Sequence, residues 1–275
     1  MSSKVEDMLA EVDGAGAEAM VSVDQAGGVP DGGSEARHAL AVFLALQFTR
    51  TTHHREQVMF PARVAKWAGQ LPLSEELVAE YLESVHLGFP PRPREAEGAF
   101  LYVSKALDDG AATSEFAIEI ASAMIDELVP RLLSLNWTLE MDPKRRLITS
   151  DTPVVVWRKP TRKDDFEGVG IENAGELRFP LDPGKQLVLS RRKRLRELRL
   201  ETHRVRRSNV DMADGCHRFV VGRPDQSSIL AGLSLGSRAP VMRFNVAPLL
   251  VQTPDGRRVR EGEAMHMFVP RRLDF

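Results

Sequence analysis

A single cysteine, Cys216, stands in the 275 residues, which excludes an internal disulfide and any metal cluster built on two or more thiolates. Cys216 therefore reads as a small buried hydrophobe. Long apolar runs are missing too. The longest, Ala39 to Leu46, is far below the roughly 18 residues that cross a bilayer. The first stretch, MSSKVEDMLAEVDG, carries acids where a secretory leader needs an apolar core, so the expectation is a soluble cytoplasmic protein with no membrane partner. Metal motifs are equally scarce. His53 and His54 are adjacent, point about 100° apart on a helix and have no HExxH context, so neither a metal nor a cofactor is implied.

What is present is a normal globular composition, 43% hydrophobic and 28% charged, long enough for one large domain or two modest ones. The net charge of -2 conceals an asymmetry. Residues 1–150 hold 23 Asp and Glu against 13 Lys and Arg, a net of -10, and residues 151–275 hold 16 against 24, a net of +8. The two halves differ in kind.

Apolar positions in the first half recur at three and four. Val5, Met8, Leu9, Val12, Ala19, Met20 and Val23 mark a helix interrupted by Gly14 and Gly16. Ser34 and Ser74 are N-caps for the segments that follow them, and the stripe Leu77, Val78, Tyr81, Leu82, Val85 stops at Gly88. The run EARHALAVFLALQFTRTTHHREQV is apolar on nearly every side near its start and predicts one central helix. Two more helices follow, over Arg94 to Asp109 and Thr113 to Leu135, the second bending or ending near Pro130. At Asn136 the period changes to two. WTLEM, RLITS and PVVVW predict short strands, the first two joined through Asp142-Pro143-Lys144. ELRFPLDPGKQLVLS predicts strand, turn, strand, Asn209 to Cys216 a short helix before a strand at Phe219 to Val221, and the C-terminus a hairpin around Asp255-Gly256. The expected class is α+β: a helical region over 1–135 packed on a mixed or antiparallel β-rich region over 136–275, the two sharing a core as one structural unit.

ALQFTR, the NWTLEM…RRLITSDTPV hairpin, FPLDPGKQLVLS and Asn209 followed by FVV resemble the bacterial family catalogued as domain of unknown function 4238, in that order, from about Val5 to Val221. Members begin with a segment of the His-Tyr-Val-Pro type. Nothing similar precedes Val5, so the chain resembles a version without that segment. The resemblance implies a fold and a residue set, not a reaction.

On the central helix Leu40, Phe43, Gln47, Arg50 and His54 follow i, i+3, i+7, i+10, i+14, so an apolar stripe becomes polar toward its end. A guanidinium on an inward face needs a carboxylate, and Asp151, in the polar corner Ser150-Asp151-Thr152-Pro153, is the expected partner of Arg50. One reading is a cleft between the halves where Gln47, Arg50, His54, Ser150, Asp151 and Asn209 hold an anionic ligand such as a phosphate. The other is a buried ion pair joining helix to sheet. Ser150 has no GxSxG context, and no reaction is implied. The rival function uses RRKRLRELRLETHRVRR, Arg191 to Arg207, as a nucleic-acid or protein interaction segment through Arg191, Arg192, Arg194 and Arg196. The alternative is a solvated stretch whose glutamates pair with its arginines.

Overall fold

A computed structural model of the chain describes residues 3–86, 90–110, 114–161, 168–192, 197–235, 242–253 and 258–268. The class is α+β. Helices α1 (Ser3–Ala26), α2 (Glu35–Thr49), α3 (Thr52–Ala68), α4 (Glu75–Val85), α5 (Glu95–Asp108) and α6 (Ser114–Ser134) precede the first strand. Strands β1 (Asn136–Met141), β2 (Thr149–Ser150), β3 (Val155–Trp157), β4 (Glu176–Asp182), β5 (Lys185–Ser190) and β6 (Glu197–Arg199) follow, then α7 (Thr202–Gly215), β7 (Val220–Val221), α8 (Ser227–Ala231), β8 (Arg243–Gln252) and β9 (Arg258–Phe268). Among the described residues no helix is long and apolar enough to cross a membrane.

The chain divides into two compact units, and the change of period at residue 136 falls inside the first of them. That unit takes Met1–Thr52, Ala121–Lys159 and Gly170–Ala239, and the second takes His53–Ile120, Pro160–Val169 and Pro240–Phe275.

In the first unit a five-stranded sheet runs β3-β4-β5-β1-β6. Its pairs are antiparallel except β1 with β6, so the sheet is mixed. Trp137, Leu139, Leu177, Phe179, Leu187 and Leu189 cover one face and pack with Leu40, Phe43 and Leu44 of α2, Ala19 and Val23 of α1, and Leu128 and Leu132 of α6. One position shows how tight this layer is. A Cβ on Gly16 would sit 2.4 Å from the Phe43 ring, so α1 runs unbroken through Gly16 because that glycine admits the ring. α6 likewise continues past Pro130 to Ser134.

Serine caps form as expected, with the Arg37 amide donating to Ser34 Oγ at 3.2 Å and the Leu77 amide to Ser74 Oγ at 3.3 Å. The central helix does not run on to His54. It ends at Thr49, with Arg50 as C-cap, and a new helix starts at Thr52. The cause lies in Thr49-Arg50-Thr51: the Thr49 hydroxyl donates to Leu46 O at 3.0 Å and the Thr51 amide reaches Phe48 O, a tighter turn that closes the ladder. The expected β1–β2 hairpin is also absent. β2 pairs with β7 in a separate two-stranded ladder, because Asp142 turns the chain away from β1. The Asp142 carboxylate accepts from the Arg146 amide at 2.7 Å, and Arg145 adopts φ 53 within the turn. β4 and β5 form the hairpin expected of ELRFPLDPGKQLVLS.

The second unit has its own core, in which Phe60, Val64, Val78, Tyr81, Leu82, Ala99 and Val103 pack with Met242 and Phe244. β8 and β9 pair antiparallel from Arg243↔Phe268 to Gln252↔Arg258, with a register shift between Leu249 and Leu250. α5 lies close on this ribbon, a Cβ on Gly98 falling 3.0 Å from Val246 Cγ2. The stop at Gly88 and the turn at Asp255-Gly256 lie outside the described residues.

Candidate functional site

The reverse face of the first unit's sheet is built from the alternate residues of the same strands, and most of them are polar. Register places Glu176, Ser190 and Asn136 in one row across the sheet, Arg178, Val188 and Thr138 in the next, and Pro180, Gln186 and Glu140 in a third. Thr138, Glu140, Gln186 and Ser190 are 1 to 2% exposed, so this face is covered as fully as the apolar one. α7 covers it. From that helix Ser208 Oγ donates to Gln186 Oε1 at 2.7 Å, Gln186 Nε2 donates to Glu140 Oε2 at 2.7 Å, and Arg204 Nη2 donates to Glu140 Oε1 at 3.0 Å.

On β4, the strand next to β3, Arg178 donates Nε to Glu176 Oε2 at 2.9 Å and Nη1 to Asp211 Oδ2 of α7 at 2.7 Å. The indole of Trp157 flanks this array, with the Arg178 guanidinium 5.1 Å and the Arg207 guanidinium 4.2 Å from its ring centre. Such a layer is stable because each buried charge has an opposite charge and its hydrogen bonds are made inside the protein. The Thr138 hydroxyl, by contrast, has no hydrogen-bond partner among the described residues although it is buried.

Arg207 differs from its neighbours. Its nearest carboxylate among the described residues, Asp211 Oδ2, is 4.0 Å away and already bound by Arg178, and the Arg207 side chain is 52% exposed. Arg206, Arg199, Arg191 and Arg192 are exposed as well. Arg194 and Arg196 lie outside the described residues.

Three of the six expected ligand residues gather around α7. Asn209 Oδ1 accepts from the Ile148 amide at 3.2 Å and its Nδ2 donates to Arg146 O at 2.8 Å, which clamps the segment before β2 to the helix. Ser150 Oγ approaches Met212 Sδ at 3.1 Å and accepts from the Thr152 amide. Asp151 accepts from the amides of His217 at 3.0 Å and Arg218 at 2.9 Å, just beyond the helix. Its carboxylate thus fixes the turn that leads α7 into β7.

The expected Arg50–Asp151 pair is therefore corrected. Arg50, exposed at the end of α2, bonds Asp13 of α1 at 3.2 Å, because ending the helix at Thr49 removes Arg50 from the inward face. Gln47 is half-buried on α2. His54 lies on α3 in the second unit, where burial pushes its imidazole below the ordinary value and a hydrogen bond with Gln57 partly opposes that. Asp142, in the turn after β1, is buried as well. Burial opposes its ionisation, but the side-chain and backbone hydrogen bonds and the charge of Arg146 outweigh burial and hold its carboxyl below the usual range.

The family model described as "Protein of unknown function (DUF4238)" matches residues 2–226. The chain belongs to this family. Within the DUF4238 match lie both faces of the sheet and all of α7, whereas α8, β8 and β9 follow it. Comparison with curated proteins and with solved structures found no match.

The array Glu176, Arg178, Trp157, Arg204, Arg207 and Asp211 escaped sequence reasoning. Glu176 and Arg178 stand at i and i+2 in an expected strand, but Arg207 read as part of the basic run before a helix starting at Asn209, whereas α7 already starts at Thr202, so neither the Arg207–Asp211 spacing nor the meeting of the two pairs was visible. The string Gly232-Leu233-Ser234-Leu235-Gly236 also has the GxSxG spacing. It follows α8 rather than a strand, so it lacks the strand that leads into a nucleophile elbow.

Proposed function

We propose that the chain is a cytoplasmic binding protein for an anionic, phosphate-bearing ligand, which it engages through the arginines of α7 beside Trp157. The observation that carries this reading is the state of Arg207: a half-exposed guanidinium over an indole, whose carboxylate neighbour is already engaged by Arg178. A guanidinium oriented in advance loses less freedom on meeting a phosphate, and its planar fork matches two phosphate oxygens. Binding, not a reaction, is what the arrangement supports. Ser150, Asp151 and Asn209 then position α7 and do not touch the ligand.

Calorimetry with inorganic pyrophosphate at low salt tests the reading. Wild-type protein should bind, and Arg207→Ala should weaken binding roughly tenfold to hundredfold, the range for a hydrogen bond to a charged group, with an unchanged melting temperature. No binding by wild type, or equal binding by the variant, overturns it.

A second reading is favoured by the exposure of Arg191, Arg192, Arg199 and Arg206: the ligand's phosphates belong to a nucleic-acid backbone. Retention of single-stranded or duplex DNA that falls steeply with salt supports it. Binding of pyrophosphate without retention of DNA removes it.

A further inference from the structure

In the second unit three side chains meet where β8 begins. His86 caps the end of α4, Glu95 opens α5, and Arg243 is the first residue of β8. All three are buried or nearly so, with His86 at 5% and Glu95 at 1% exposure. His86 Nε2 lies 3.1 Å from Met242 O, and His86 Nδ1 lies 2.9 Å from Arg243 Nη1. A carbonyl only accepts and a guanidinium only donates, so these two partners fix the ring: Nε2 carries the proton and Nδ1 is the acceptor. Glu95 completes the arrangement. Its Oε1 is 3.0 Å from Arg243 Nε and accepts from the Phe244 amide at 3.1 Å, while Oε2 accepts from the Arg92 amide at 2.8 Å.

We propose that His86 is a proton-sensitive latch that holds the start of β8 against the ends of α4 and α5 while neutral and releases it on protonation. The proton, taken from solvent, would occupy Nδ1. That atom then has no lone pair for Arg243, and an imidazolium faces a guanidinium at hydrogen-bonding distance. Among the described residues the charged groups around the ring are Arg243 on β8, Arg92 before α5 and Glu95 on α5. Two of the three are cations, and Glu95 is already committed to Arg243 and to the Phe244 and Arg92 amides. Burial is the main force keeping His86 below its ordinary pKa of 6.5; the hydrogen bond to Met242 O opposes it, Arg243 adds to it, Glu95 opposes it, and Arg92 adds to it.

The sign follows from that direction. Above pH 6.5 the ring is neutral whether the latch is closed or open, and the latch has its full strength. As pH falls below 6.5 the open form takes up the proton first, so closure weakens progressively until the closed form is protonated too. The Phe244–Phe60 and Phe244–Tyr102 ring contacts do not depend on the proton, so opening is confined to the first residues of β8.

Hydrogen exchange on the full chain between pH 7.5 and 5, corrected for intrinsic rates, reads the latch at the Phe244 amide. Exchange should rise about tenfold for each pKa unit that separates the open and closed forms, in step with the His86 ring titration followed by NMR, while global melting changes much less. His86→Gln keeps one donor and one acceptor but cannot titrate, so its Phe244 exchange should be flat with pH. A pH-dependent rise that persists in His86→Gln overturns the latch. If that variant does not fold, the wild-type titration decides alone: a His86 pKa at or above 6.5, or a Phe244 exchange step that does not track it, also overturns the proposal.

Discussion

Trp137, Leu139, Leu177, Phe179, Leu187 and Leu189 close one face of the five-stranded sheet, and Thr138, Glu140, Glu176, Arg178, Gln186 and Ser190 close the other. The two sets alternate along the same strands and are buried to the same degree. What differs is the covering layer. α1, α2 and α6 bring an apolar stripe, whereas α7, with a sequence of THRVRRSNVDMADG, brings arginines, a serine, an asparagine and an aspartate. Alternation of apolar and polar residues is usually a sign of one wet face. Here it encodes a second buried interface whose cohesion is directional, and that directionality is what can hold one arginine, Arg207, ready at the edge.

Breaking the polar face should have the largest effect. Arg178→Ala leaves the buried Glu176 and the partly buried Asp211 without their shared cation and should destabilise the protein by about 3 kcal/mol, the low end for a broken buried pair. Replacing all three, Glu176→Leu with Arg178→Met and Asp211→Leu, should recover most of that loss while leaving Arg207 without its oriented neighbour. Urea melts of the single and triple variants check both statements. On the apolar face of β1, Leu139→Ala should cost about 2 to 5 kcal/mol by opening a cavity, with no rescue by any polar exchange. If Arg178→Ala proves harmless, the polar face is wetter than its burial indicates and the comparison fails.

Gly16→Ala sharpens the apolar side. Alanine favours a helix by about 1 kcal/mol over glycine, yet its methyl must displace the Phe43 ring from 2.4 Å. Overpacking of this kind costs about 1 to 3 kcal/mol, so a net loss in melting temperature is expected, and pairing with Phe43→Leu should reverse it. Thr138→Val sharpens the polar side from the opposite direction. Its hydroxyl is buried without a partner among the described residues, so removing it should stabilise the protein by about 1 kcal/mol, at the low end of the penalty for an unsatisfied group. A loss instead would show that the hydroxyl is hydrated.

Much of this frame was legible in the residues. Ser34 and Ser74 announced helix starts, the period-two segments announced strands, and the Asp182-Pro183-Gly184-Lys185 turn announced the β4–β5 hairpin, because each of these signals acts within a few residues. Pairings across long sequence distances were not legible. β2 finds β7 some seventy positions on, and Glu140 finds Arg204 from a segment that reads as a solvated basic run. The central helix misled for a local reason as well: three residues, Thr49 to Thr51, ended it, and every facing relation projected past them was lost.

That lost relation leaves the smallest prediction. Arg50 lies at the end of α2 with its guanidinium 3.2 Å from Asp13 on α1, and both side chains are more than a third exposed. Water screens such a pair, and holding two flexible side chains together opposes it, so the coupling should be about 0 to 1 kcal/mol. Arg50→Ala, Asp13→Ala and the double variant should give a cycle within that range, and the coupling should shrink as salt rises. Asp151→Ala belongs to a different class. It removes the acceptor of two amides beyond α7, and should cost about 1 to 3 kcal/mol, independent of salt and additive with Arg50→Ala. Strong coupling between Arg50 and Asp151 would restore the buried pair first expected of this corner. Additivity keeps Asp151 with α7, where its carboxylate sets the turn that carries the helix into β7.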